Sequence, residues 1–442
     1  MNKPLHITIL GAGTAGLAVG YYAKKEGMSF TIYEARNRVG GLSTTFSHQD
    51  FLFDSGAHRF HNKDVYVTEM AKGLLGEELE KITIPSCIYH QGKLIDFPLS
   101  PLNLIKNIGF TMFGKALIEV LFSRLRKSSN NFEDFVLQRY GKTIAGLFLL
   151  NYSKKLWGIS CDKLSLNVHG ERLGGLNLNS FLRKNVSAQH LEGTFYYPRV
   201  GIGAICEKIA EFCGNKNILK EAKVSKILHN YKRIQEVEIN GKKGVKIDKL
   251  VSTIPINMFL QILEPSPPEE ILLLARKLYF RSVILVVLFL DKKIVTKHGT
   301  VYFPSLEFPF MRISEPKNRS KAMSPEEKTS LMVEIPSQVT DELWQMKDEE
   351  LIEIACLKLI EIGWITRGEI LSGTVERLEY AYPVLEIESE KNIQKIFDFL
   401  NNFSNLELSG RNGRFKYSWI HDQLKEGCKI IDDFKDGVRY LR

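Results

Sequence analysis

Leu5-His-Ile-Thr-Ile-Leu10-Gly11-Ala-Gly13-Thr-Ala-Gly16-Leu-Ala-Val-Gly-Tyr-Tyr-Ala-Lys-Lys-Glu-Gly27 is an apolar strand that runs into G-x-G-x-x-G and on into a helical pattern. A second apolar strand, Ser29 to Tyr33, follows and ends at Glu34. Strand, glycine loop, helix, strand and acid in this order read as a dinucleotide-binding βαβ unit. Gly11 lets the chain turn sharply, Gly13 keeps no side chain between backbone and pyrophosphate, and Gly16 lets the helix pack on the strand. The helix N-terminus offers free N–H groups and a positive dipole end to phosphate. Glu34 stands about 20 residues downstream, where a carboxylate accepts hydrogen bonds from a ribose diol.

The next stretch, Glu34-Ala-Arg-Asn-Arg38-Val-Gly40-Gly41, adds a second glycine turn with a basic residue before it. This pairing of a first fingerprint with R-x-G-G resembles the flavoproteins of the glutathione-reductase-like FAD superfamily. The resemblance implies FAD as cofactor, with Arg38, Gly40 and Gly41 beside its pyrophosphate. Read without it, Gly40-Gly41 is a surface hairpin turn.

At 442 residues the chain is too long for one ordinary core, and two domains are expected. A composition of 44% hydrophobic and 25% charged residues is that of a globular protein. Cys87, Cys161, Cys206, Cys213, Cys356 and Cys428 are scattered with no C-x-x-C pair, which indicates neither a zinc site nor a disulfide framework. Reduced thiols and a strand that starts almost at the N-terminus point to a cytoplasmic protein without a signal peptide. The net charge is +9, yet the basic residues are mixed with acids and form no stripe, so nucleic acid is not an expected partner. An anionic cofactor and an anionic small-molecule substrate suit this charge better. Leu99 to Arg126 is apolar and basic but carries Lys115 and Glu119, too many charges to span a bilayer. It reads first as a helix of the substrate domain, and in the alternative as an amphipathic helix in peripheral contact with a membrane.

The coarse pattern runs from the βαβ unit to a mainly helical stretch, about Ile84 to Gln189, in which an apolar run Phe132 to Leu156 ends at Trp157-Gly158. Phe195 to Gly203 reads as a turn and Ala204 to Phe212 as a helix. Three short strands follow, Lys223 to Leu228, Gln235 to Ile239 and Lys246 to Ser252, the last stopped by Pro255 and returning to the nucleotide-binding sheet. Ser282 to Leu290 is a β-branched run suited to a central strand, joined by Thr329 to Ile335 and Glu369 to Arg377 in a second sheet. Leu406 to Ser409 and a last helix, His421 to Phe434, close the chain. The expected fold class is α/β: a Rossmann-type FAD-binding domain, glutathione-reductase-like, with an inserted α+β substrate domain. The FAD-binding domain is expected at 1–83, 190–262 and 378–442, and the substrate domain at 84–189 and 263–377.

Three further clusters carry a family resemblance. Phe51-Leu-Phe-Asp54-Ser-Gly56-Ala-His58-Arg-Phe-His61 contains F-D-x-G and an H-x-F-H element. Tyr152-Ser-Lys-Lys-Leu-Trp157-Gly158 continues to Gly170-Glu-Arg172, and Phe308-Pro-Phe-Met-Arg312 lies further on. Tyr380-Ala-Tyr382-Pro-Val384 precedes Gly410-Arg411-Asn-Gly413-Arg-Phe-Lys-Tyr417, with Asp422 at the start of the last helix. Together these resemble the flavin amine oxidase and protoporphyrinogen oxidase-like superfamily, and most closely the UDP-galactopyranose mutase-like flavoproteins.

The resemblance implies that His58 lies against the isoalloxazine ring and, with Arg411, tunes it. It implies that Trp157 and Arg172 flank the substrate, that Arg172 and Arg312 hold a diphosphate, and that Tyr382 and Tyr417 hold sugar or phosphate. Gly410, Arg411 and Asp422 would close the flavin site, with the last helix aimed at its ribityl and pyrimidine end. Arg suits the diphosphate because its fork meets phosphate oxygens in pairs. A structural salt bridge for Arg172 and a loop-bonded histidine pair for His58 and His61 are the alternatives. True amine oxidases place an acid where Arg411 stands, which weighs against that reading.

The function implied is that of a mutase-like flavoenzyme acting on a nucleotide- or diphosphate-linked sugar through flavin N5, with FAD reduced by an external reductant or NAD(P)H. The alternative is an FAD-dependent oxidoreductase of protoporphyrinogen-oxidase or amine-oxidase type, and a flavin-bound scaffold without turnover is a third reading.

Overall fold

The computed structural model describes residues 5–97, 101–123, 131–168 and 193–437. Strand β1 (His6–Leu10), helix α1 (Thr14–Lys25) and strand β2 (Ser29–Tyr33) form the βαβ unit. They lie at the centre of a parallel sheet of five strands in the order Leu406–Leu408, Lys249–Ser252, β1, β2, Ile218–Leu219. β1 is buried on both sides, with α1 packed against it, and helices Gly203–Cys213 and Ile420–Lys435 pack on α1 in turn. The helix meets the strand closely because residue 16 is glycine: a Cβ there would lie 1.9 Å from the Gly11 carbonyl oxygen.

A second, mixed sheet has seven strands in the order Ile370–Pro383, Phe280–Leu290, Thr329–Ser337, Arg312–Ser314, Thr300–Tyr302, Ser86–His90, Lys93–Phe97. Its long strand Phe280–Leu290 is buried at every residue. The period of two sorts its side chains: Ile284, Val286 and Leu288 join a core with Leu351, Ala355 and Leu359 of helix Asp348–Glu361. Val283, Leu285, Val287 and Phe289 join the opposite core with Phe51, Phe53, Trp157 and Phe415. This second core therefore runs from the seven-stranded sheet to the elements that flank the parallel sheet.

Several expectations need correction. Residues 86–97 were expected within a helical stretch but form a hairpin, Ser86–His90 and Lys93–Phe97. Gln91 and Gly92 both have positive φ, 48° and 77°, the turn that matches strand twist and folds the pair back on itself. Phe195 to Pro198, expected at the start of a turn, belong to a strand, Thr194–Pro198, that pairs antiparallel with Leu79–Thr83. The strand expected over Lys246 to Ser252 is two, Lys242–Lys246 in a four-stranded mixed sheet and Lys249–Ser252 in the parallel sheet. The run Phe132 to Leu156 is broken by Gly141 (φ 70°) and by a π-helical turn over Ala145–Leu150 before helix Asn151–Trp157. The strand expected over Glu369 to Arg377 continues to Pro383, which carries Tyr380 and Tyr382 to the site described below.

Gly16→Ala should lower stability by about 2 kcal/mol or more, since strand and helix must separate to admit the methyl group. A thermal midpoint equal to that of the unaltered protein would contradict this packing.

Candidate active site

The β1–α1 turn and the second glycine turn form one unit. The Gly11 N–H donates to the Tyr33 carbonyl at 2.8 Å, and the Gly40 N–H donates to the Ala12 carbonyl at 2.8 Å. Gly13 and Gly40 form a parallel bridge, and a Cβ on Gly41 would lie 3.1 Å from the Gly13 Cα, so two backbones meet where side chains would hold them apart. Glu34 is fixed by two backbone N–H donors, Ala12 to Oε2 at 2.7 Å and Arg36 to Oε1 at 2.9 Å. α1 starts from Gly13 with no side-chain cap and no acid in its first turn, which leaves its N-terminal dipole uncompensated.

Arg38 lies at the margin of this unit. Its guanidinium stacks 4.4 Å above the Phe46 ring and stands 3.9 Å from Glu376. The turn Gly410–Gly413 packs against α1. Glu426 of the last helix holds it, accepting from Ser409 Oγ at 3.0 Å, the Gly410 N–H at 3.1 Å and Lys416 Nζ at 2.8 Å. Arg411 donates to the Ala381 and Ser418 carbonyls, both at 3.0 Å, and presents its plane to Tyr417 and Tyr382, 4.9 and 5.5 Å from their ring centres. Asp422 turns back on its own helix: Oδ2 accepts the Trp419 N–H at 2.8 Å and Oδ1 lies 3.1 Å from His421 Nε2. Burial opposes its charge, but the bonds from His421 and Trp419 prevail and bring its pKa below the usual value.

On the other side, hairpin Thr45–His48 and Phe51–Asp54 delivers His58. Buried Asp54 accepts from Tyr197 Oη at 2.6 Å, Thr45 Oγ1 at 2.7 Å and the Ile202 N–H at 3.0 Å. Ser55 Oγ donates to the Leu42 carbonyl and lies 3.3 Å from His58 Nε2, an arrangement that assigns the imidazole proton to Nε2 and leaves Nδ1 an acceptor. Burial, with the charges of Arg411, Arg312 and Arg319, pushes the His58 pKa down to about 3, so the ring is neutral at pH 7.

Arg312 is buried and paired with Glu334, NH2 to Oε2 at 2.6 Å, and also donates to Tyr382 Oη at 3.2 Å. Its Nε is buried without a hydrogen-bond partner. The other oxygen of Glu334 accepts the Ala57 N–H at 3.1 Å. One carboxylate thus grips the arginine of one sheet and the turn that carries His58. Tyr382 and Tyr417 lie nearly parallel, 6.5 Å apart at 11°, and Trp157 meets Tyr382 edge-on at 6.0 Å. Trp157 ends a helix whose last carbonyls are bonded by a cation, Arg281 Nε to Leu156 O at 3.1 Å and NH2 to Lys155 O at 3.3 Å. Lys155 Nζ ties down the loop before Arg312 through the carbonyls of Phe303 (2.7 Å), Ser305 (2.5 Å) and Phe310 (3.0 Å). Burial brings its pKa down to about 8.

His58, Trp157, Arg312, Tyr382, Arg411 and Tyr417 thus gather at one place. Arg172 lies outside the described residues. Glu334, Glu426 and Arg281 were missed; for Glu334 the signal is a lone acid inside the apolar strand Leu331-Met-Val-Glu334-Ile.

Residues 14–363 match the family described as flavin containing amine oxidoreductase, and the chain belongs to that family. It is an FAD-dependent enzyme of the oxidoreductase superfamily. Among relatives it is similar to coproporphyrinogen III oxidase of Bacillus subtilis (strain 168), 21% identical over 467 residues that cover 97% of each chain. Among solved structures it is similar to reduced UDP-galactopyranose mutase, with TM-score 0.86, 21% identity, and 99% of this chain and 97% of the other covered. It is also similar to cyclohexylamine oxidase from Brevibacterium oxydans IH-35A, with TM-score 0.70, 14% identity, and 98% and 99% covered. At such identities the structural likeness carries the fold. The residues present fit FAD: an uncapped helix start for pyrophosphate, glycine backbones that leave room for it, and a pre-oriented Glu34 for the ribose.

Glu334→Ala leaves a buried arginine unpaired and should cost about 3–5 kcal/mol in urea unfolding; a loss of less than about 1 kcal/mol would contradict the linkage. The depressed His58 pKa has a fixed sign. Below the unfolded value of 6.5 the unfolded chain takes up a proton that the folded one refuses, so stability falls until about 3. Between about pH 6 and about pH 4, stability of the unaltered protein should fall more steeply than that of His58→Gln, by up to about 1.4 kcal/mol per pH unit. Parallel profiles would contradict the assignment.

Proposed function

We propose that this FAD enzyme acts on a nucleotide- or diphosphate-linked sugar in the mutase manner, with reduced cofactor and no net redox change. The observation that supports this reading most is the half-used guanidinium of Arg312. It is buried and held by Glu334 and Tyr382, with a buried Nε that no protein group satisfies. A buried donor of this kind favours an anionic oxygen. Bound FAD supplies the redox-active ring, a hydride acceptor when oxidised and an electron-rich nitrogen nucleophile when reduced.

The side chains supply the rest. Arg312 would hold the diphosphate as it leaves and returns, with Arg172 as its proposed partner. Tyr382 accepts from Arg312, which leaves its own O–H proton to donate to a phosphate or sugar oxygen. Trp157 and Tyr417 wall the sugar and keep water from the reacting centre. Neutral His58 beside the ring keeps Nδ1 as an acceptor without adding a cation, and Arg411 contributes fixed positive charge through its clamped guanidinium.

The oxidase reading is favoured by one observation, the whole-length similarity to a coproporphyrinogen III oxidase. A porphyrinogen carries carboxylates, which the same arginine would also suit. A protonated amine is disfavoured by the three arginine charges that already suppress a proton on His58.

Arg312→Ala in the FAD-loaded protein should weaken binding of a UDP-sugar, followed by flavin fluorescence, by about 100-fold. Flavin content should stay unchanged. Equal affinity in the variant would refute the assignment, and tighter binding of a porphyrin carboxylate than of any UDP-sugar would transfer it to the oxidase reading.

A further inference from the structure

Helix Phe110–Ser123 lies on the outer side of the helical layer, packed on helices Pro101–Ile108 and Phe132–Ile144. At 100° per residue, Phe113, Ala116 and Val120 face inward, where Ala116 and Val120 are buried. Ile118 and Phe122 point the opposite way, and Leu121, Phe110 and Leu117 extend the same apolar face along one flank of the helix; each of the five is 40–79% exposed. Five large apolar side chains on one face exceed the scattered exposure of an ordinary surface and mark an interaction site.

The charge that the helix itself exposes is positive, Lys115. The helix has one acid, Glu119, and its carboxylate is drawn inward, accepting from the Thr143 N–H at 2.6 Å and from Thr143 Oγ1 at 3.1 Å. Lys115 flanks the apolar face, and Lys106 is exposed on the preceding helix. Among the described residues no helix is long and apolar enough to cross a membrane. Two copies of this face brought together would set lysine against lysine on a chain of net charge +9. An anionic surface with an apolar interior satisfies both the side chains and the charge. We propose that the outer face of helix Phe110–Ser123 docks on a membrane bearing anionic lipid headgroups, with the helix lying in the plane of the interface.

The test uses the full-length, FAD-loaded protein and co-sedimentation with vesicles of phosphatidylcholine containing about 30% phosphatidylglycerol. The unaltered protein should sediment with these vesicles, and less with pure phosphatidylcholine or at about 0.5 M salt. The double variant Ile118→Glu, Leu121→Glu should bind about tenfold or more weakly, and Lys115→Glu several-fold more weakly. Leu273→Glu, at an equally exposed residue of another helix, should bind as the unaltered protein does. Unchanged flavin absorbance in each variant reports an intact fold. The proposal is overturned if the unaltered protein stays in the supernatant or if the double variant sediments equally. It is also overturned if the face instead supports a concentration-dependent dimer that the double variant abolishes. Each readout is independent of the substrate reading above.

Discussion

Glu334 is where the two halves of the site are joined. It stands in a buried strand of the seven-stranded sheet and spends one oxygen on Arg312 and the other on the Ala57 N–H. A carboxylate buried this deeply would be costly without such partners, and Arg312 would be equally costly without Glu334. The pair therefore sets where Arg312 can lie. Through the turn at Ala57 it also sets where His58 stands. Lys155 and Arg281 support the same geometry from behind by holding the loop before Arg312 and the helix that ends at Trp157.

On the cofactor side the constraint is backbone rather than charge. The two glycine turns touch because neither has a Cβ at the contact, and Glu34 is oriented by N–H groups of the turns it serves. Glu426 does the equivalent work for the Gly410 turn from the last helix. The site thus combines glycine turns held by close backbone packing with a facing side held by buried ion pairs.

Much of the cradle was legible because its rules are local. Glycine spacing, strand endings and the downstream acid all lie within about 30 residues of one another. The buried run Ser282 to Leu290 was legible for the same reason, since a short apolar run rich in β-branched residues suits a strand covered on both faces better than a buried helix. The hairpin over residues 86–97 was not, because short alternating runs beside helical ones carry weak periodicity, and Gln91-Gly92 is a less familiar turn pair than Asn-Gly. For Glu334 the lone acid in an apolar strand marks a buried charge but not its partners, which lie 22 and 277 residues away, and Glu426 sits in a helix whose other acids give it no distinguishing pattern. Arg411 shows the complementary limit: its motif marks the place, but two of its nitrogens bond backbone carbonyls, which no pattern announces.

On the proposed function, this site works on a diphosphate-linked sugar beside reduced FAD. The most direct measurement is turnover of nucleotide sugars, followed by chromatography of the sugar product, with the same protein assayed dithionite-reduced without air and then fully oxidised. The account predicts ring-isomerised product from the reduced protein alone, with the flavin still reduced at the end. No conversion of any nucleotide sugar, together with rapid bleaching of oxidised flavin by a porphyrinogen or an amine, would contradict it.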